Sequence, residues 1–245
     1  MALLSDEMVP QPTKSQTAAE DKSQASGGWL RNSKLGLVCI ALFLCFWAAQ
    51  SLTGWQEHNS DQTTHHEAEI SYGEYLTTGH FWEATAENWE SEFLQMGAFV
   101  LLTIFLIQKG SPESKQPDGD DVDEDPRDHS DDADAPRPVR RGGWRLVLYE
   151  NSLLIAFFGL FFLSIVLHAL SGTAEYNSEA KSHGEGPLST LEFVRTSAFW
   201  FQSFQNWQSE FLAVGALVVL SVYLRQKGSP ESKPVAAAHA ETGTE

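Results

Sequence analysis

The chain has 245 residues, enough for one sizeable domain or two small ones, and carries a net charge of -17. That charge excludes a nucleic-acid binder, which needs a basic face to meet phosphates. A mean hydropathy of -0.25 with 20% charged residues would suit a soluble protein, but it averages strongly polar segments with strongly apolar ones.

Residues 1–28 are polar, rich in Ser, Gln and Ala, and lack hydrophobic period, so they read as a disordered tail. Trp29, Arg31 and Lys34 then lead into an apolar run that predicts a first membrane span at about 35–53. Cys39 and Cys45 lie inside it, six residues apart on one helix, and read as small apolar packing residues. A cleaved signal peptide ending near Ala48-Ala49 is the rival reading of this run.

A polar outer loop is expected over 54–88, ending in an aromatic-acidic stretch from Gly79 onward, with Trp82 and Trp89 suited to the headgroup boundary. A second span follows at about 89–108 and stops at Gly110 and Pro112. Residues 116–141 are predominantly acidic before their terminal arginines, contain Pro and show no apolar period. They read as a disordered linker. Arg137, Arg140, Arg141 and Arg145 precede a third span at about 152–170, an outer loop at 171–206 and a fourth span at about 207–225. Residues 234–245 read as a second disordered tail.

The chain repeats itself. Asn88-Trp89-Glu90-Ser91-Glu92-Phe93-Leu94 returns 118 residues later as Asn206-Trp207-Gln208-Ser209-Glu210-Phe211-Leu212. The same interval relates Phe81-Trp82 to Phe199-Trp200, Gln50 to His168, and the segment at 108–115 to that at 226–233. Repeat 1 covers 29–115 and repeat 2 covers 142–233. Two spans per copy make the repeats parallel, related by a pseudo-twofold axis along the membrane normal. The fold expected is an all-α membrane protein: four transmembrane helices in two tandem hairpins, with interfacial amphipathic helices. Basic residues cluster on one face of that arrangement and acidic loops on the other, so both termini are expected in the cytoplasm. A re-entrant placement is the rival reading of the second and fourth runs, which are short.

Glu92 and Glu210 stand just before an apolar span in both copies, and carboxylates at membrane depth mark ion or proton paths or pair with something. Asn88 shares a helix face with Glu92, as Asn206 does with Glu210. The four form a candidate polar or cation-binding site at the axis; the rival reading has both glutamates reaching into the headgroups. Trp82, Trp89, Trp200 and Trp207 are candidate interfacial aromatics. Gln50 and His168 read as hydrogen-bonding partners between helices. His58, His65, His66 and His80 fit no zinc spacing and read as surface-loop residues. No catalytic motif, phosphate loop or dinucleotide fingerprint appears, so no enzyme, metal or cofactor is expected.

Ser51-Leu52-Thr53-Gly54-Trp55, Ser71-Tyr72-Gly73-Glu74-Tyr75-Leu76, Gly79-His80-Phe81-Trp82-Glu83-Ala84, the Asn88–Gln95 motif and Ser229-Pro230-Glu231-Ser232-Lys233 resemble an uncharacterised family of bacterial membrane proteins, a domain of unknown function (DUF6766). The resemblance covers roughly 29–234 and implies a bacterial inner membrane and several spans, without an activity. The expected function is a non-enzymatic inner-membrane component that binds a partner or organises the envelope. The alternative is a small transporter or channel subunit with a polar site between the repeats. Expected partners are the lipid bilayer and a second copy of the chain or another membrane protein.

Overall fold

A computed structural model describes residues 32–117, 119 and 121–243; the predicted tail at 1–28 lies outside them. The described residues form helices and turns, with no strand among them. The chain divides into two compact units, Met1–Glu69 and Ile70–Glu245.

Among its described residues the first unit holds one long helix, α1 (Lys34–Thr64). Its apolar run has no proline and continues as helix through the polar residues that follow it. Thr53 and Thr63 bond their hydroxyls back to carbonyls one turn earlier, so these polar side chains ask nothing of a neighbour. The helix stops where His66 turns left-handed (φ 62°) and the Glu67 N–H reaches back to the Gln62 carbonyl at 2.8 Å.

The second unit runs α2 (Tyr72–Tyr75), α3 (Gly79–Phe105), two 3-10 turns (Asp121–Asp123 and Pro126–His129), α4 (Arg137–Arg141), α5 (Gly143–Glu150), α6 (Ser152–Ser182), α7 (Thr190–Phe193) and α8 (Ser197–Tyr223). The bounds of α1, α2 and α3 recur, residue for residue, 118 positions later as those of α6, α7 and α8. The caps recur too. Ser71 with Glu74, and Ser189 with Glu192, close reciprocal capping boxes on the two one-turn helices. Thr78 and Thr196 then cap α3 and α8.

The aromatic-acidic stretch from Gly79 and the apolar run after Trp89 form one unbroken helix. α3 lies along α6, and α8 packs on α3. Gly97 brings α3 close to Phe157 and Phe158 of α6, and Gly79 seats the first turn of α3 on the backbone of Ser171 and Glu175. Ala169, Phe193 and Phe199 form a small apolar core beside this seam. Asn177 holds the α6–α7 loop by bonding both the N–H (2.7 Å) and the carbonyl (2.9 Å) of Leu188.

Beside this small apolar core many polar side chains are buried, while large apolar ones are exposed. The buried positions on α3, α6 and α8 include Thr85, Glu90, Ser91, Gln95, Ser164, His168 and Ser203. Large apolar side chains such as Phe105 (74% exposed), Phe201 and Leu212 (71%) face outward. Among the described residues two helices, Lys34–Thr64 and Ser152–Lys181, are long and apolar enough to cross a membrane.

After α8 the chain folds back. Lys233 is buried and donates to the carbonyls of Ala238, His239 and Glu241. Gly110 donates to the Thr242 hydroxyl at 2.8 Å, and the hydroxyls of Ser111 and Ser221 meet at 3.2 Å. Residues 234–243 thus tie the end of α3 to the end of α8.

At this same end Glu113 faces Glu231. Burial and the neighbouring carboxylate push the Glu113 carboxyl above its usual range. A raised carboxylate value means the folded chain holds its proton longer. This group's stabilising contribution is therefore present at low pH and is lost as pH rises through the folded value. Glu231→Gln is expected to raise the thermal midpoint at neutral pH and flatten its dependence on pH. An unchanged pH profile would show that the two carboxylates do not interact.

Candidate functional site

Three helices each contribute one face to a buried polar seam. On α3, Glu83, Glu87 and Glu90 recur at intervals of four and three and share a side. His168 and Gly172 lie one turn apart on α6, as do Phe199 and Gln202 on α8, with Trp207 further along. Gly172 leaves room for the Glu83 carboxylate, which stands 2.9 Å from where a Cβ would be.

A continuous hydrogen-bonded chain links these residues. The Trp207 indole N–H donates to Glu90 Oε1 at 3.0 Å. Glu90 Oε2 lies 2.8 Å from His168 Nδ1, and both side chains are 0% exposed. His168 Nε2 lies 3.3 Å from Gln202 Oε1. Gln202 Nε2 donates to Glu83 Oε1 at 2.9 Å. The His168 ring also stacks on Phe199, with centroids 4.7 Å apart.

The donors can be assigned by elimination. Trp207 can only donate, so Glu90 Oε1 accepts. The Gln202 amide nitrogen is engaged by Glu83, so its oxygen must accept, and His168 Nε2 must carry a hydrogen. One proton is then needed between His168 Nδ1 and Glu90 Oε2. It can sit on either atom, giving an imidazolium–carboxylate pair or a neutral imidazole beside a carboxylic acid. The pair is uncharged overall either way, which suits a medium where isolated charge is costly.

The residues singled out from sequence are placed differently. Asn88 is exposed and donates to the Ala84 carbonyl of its own helix at 2.6 Å. Glu92 is exposed and Glu210 half-buried, yet the two carboxylates are close enough to repel each other. Asn206 is half-buried and bonds the Gln202 carbonyl at 3.3 Å. Glu92 and Glu210 are therefore brought together, while Asn88 stands apart. Trp82 anchors to the Leu76 carbonyl at 3.0 Å. Trp200 packs on Phe199 and Phe204, and Trp89 is half-buried. Among these four tryptophans it is Trp207 whose indole enters the buried chain.

Glu83, Glu90 and Gln202 were not singled out. The available signal was a contrast within the repeated motif. Between 88–94 and 206–212 the one difference is Glu90 against Gln208, and the interval from His168 leads back to Gln50. Both partners of the buried pair are ionisable, and an amide stands at each matching position.

Residues 26–244 match the family described as a domain of unknown function (DUF6766). The chain belongs to that family. No curated protein and no solved structure matches it. The family's span contains every member of the buried chain, from Glu83 on α3 to Trp207 on α8. The site is thus part of the family domain and not of a variable extension.

Proposed function

We propose that this is a four-span protein of the bacterial inner membrane, built from two parallel copies of a helical hairpin, with both termini in the cytoplasm. It acts by binding, without catalysing a covalent reaction. The observation that carries the membrane placement is the apolar exterior around a polar seam: Glu90, His168 and Gln95 are buried while Phe105, Phe201 and Leu212 face outward. Water would penalise that exterior, whereas lipid rewards it and drives polar groups to partner inside. The recurrence of helix bounds every 118 residues supports the two-copy reading. The interactions of matching residues, Glu92 with Glu210 and Glu113 with Glu231, support it as well.

The exterior aromatics suit binding to lipid or to a membrane partner. Trp144 is exposed beneath the Arg145 guanidinium, in the position of a belt residue before α6. Transport is the second reading, favoured by the buried Glu90–His168 pair, since ionisable groups inside a bundle commonly mark a pathway.

Topology is tested with single cysteines in a chain whose Cys39 and Cys45 are replaced by serine. With four spans, Ser60→Cys and Gly186→Cys label from outside, while Ser130→Cys and Ala236→Cys label only after permeabilisation. If only Lys34–Thr64 and Ser152–Lys181 cross, Ser130→Cys becomes external and Gly186→Cys internal. That swap would overturn the four-span reading.

A further inference from the structure

We infer that Glu83, Gln202, His168 and Glu90 form a binding site for one exchangeable proton, and that the seam between α3, α6 and α8 loosens when the proton leaves. The inference rests on the donor accounting and holds whichever helices cross the membrane.

With the proton present, every contact in the chain joins a donor to an acceptor. Removing it leaves two lone pairs facing each other across 2.8 Å, on His168 Nδ1 and Glu90 Oε2. One escape is to move the remaining ring hydrogen from Nε2 to Nδ1 and turn the Gln202 amide over, so that its nitrogen donates to Nε2. The amide oxygen then faces Glu83 Oε1, and that contact lacks a hydrogen instead. Either way the chain is short by one proton and one of its links must open. Because the links join different helices, opening is felt in helix packing.

Charged groups face the site from two helices. From α3, Glu87 lies within electrostatic reach of His168 and Glu90, and from α6, Glu175 does so for Glu83. The facing residues of α8 are Phe199, Gln202 and Trp207, which carry no charge. The ligand class is thus set by the site itself: carboxylates and one imidazole, closely hydrogen-bonded, accept a proton.

Glu90→Gln gives the decisive contrast. Its amide oxygen still accepts from Trp207, and its nitrogen donates to His168 Nδ1. His168 Nε2–H continues to donate to Gln202. Every link is satisfied with no shared proton, so this variant should fold and ignore pH.

The test is 15N solid-state NMR of the full chain, histidine-labelled, in lipid bilayers. His168 is assigned by transfer from Nδ1 to the Glu90 carboxyl carbon. Across about pH 5 to 8 its nitrogens should shift in one step. Over the same step, amide exchange in α6 and α8 beside His168 and Gln202 should quicken by about tenfold or more. In Glu90→Gln the ring should stay neutral and exchange should not respond. Signals of the His168 nitrogens and the Glu90 carboxyl carbon that both stay unchanged throughout, or a Glu90→Gln variant that repeats the wild-type step, would overturn the inference. The wild-type spectrum decides alone if the variant does not fold.

Discussion

Replacing His168 with leucine is expected to destabilise the protein by about 3–5 kcal/mol, the scale for breaking a buried charged pair by removing one partner. Glu90 is 0% exposed and would keep the Trp207 indole but lose the contact at Oε2. Gln202 Oε1 would lose its donor at the same time. Leucine matches much of the volume of histidine, so the loss measures polarity and not a cavity. Removing both charges should cost less than removing one. Glu90→Leu combined with His168→Leu is predicted to be more stable than His168→Leu alone, because no unpaired carboxylate remains. Equilibrium unfolding in mild detergent reads both variants. A His168→Leu change within about 0.5 kcal/mol of wild type, the size of an ordinary surface substitution, would show that the pair does not hold the seam.

Much of the helical frame was legible in the sequence. Long apolar runs predicted the four long helices, and Ser71 with Glu74, then Thr78, stand where capping chemistry places helix starts. The interval of 118 residues then carries those bounds from one half of the chain to the other. The inward faces were not legible. In water, apolar period identifies the buried side of a helix, but here polar residues such as Glu90 and His168 are buried beside a few apolar ones while many large apolar residues face outward. Motif position drew attention to Asn88 and Glu92. Glu90 sits two residues from each, and on a helix two residues amount to roughly 200° of rotation. The rotation is set by contacts the sequence does not display, such as Gly172 making room for Glu83, and Gly79 meeting the backbone of α6. The outer stretches read as loops also proved partly helical, since α1 and α6 run on well past their apolar segments. Each is 31 residues long, well beyond its apolar segment, and hydropathy alone cannot locate its last turn.

Gly79→Ala is expected to cost about 1–3 kcal/mol, as overpacking of a tight contact does. A Cβ there would stand 2.6 Å from the Glu175 nitrogen and 2.8 Å from the Ser171 carbonyl oxygen. Both atoms belong to the backbone of α6, so no side chain can swing aside and the start of α3 must move. Glu83 lies one turn further along α3, so that movement also lengthens the Gln202 contact of 2.9 Å. The substitution should therefore weaken the buried chain from a position that touches none of its polar atoms. Two other glycines calibrate the effect. At Gly97 the new methyl would meet the Phe157 Cβ at 3.3 Å, a tight contact that a shift of a few tenths of an ångström relieves, so the loss should be smaller. At Gly159, also helical, nothing lies within 4 Å, and alanine should stabilise by up to about 1 kcal/mol through helix propensity. The predicted order of thermal midpoints is Gly159→Ala highest, Gly97→Ala intermediate and Gly79→Ala lowest. If Gly79→Ala instead matched Gly159→Ala, α3 and α6 would not be in backbone contact at this turn. The placement of Glu83 beside Gln202 would then lose its cause.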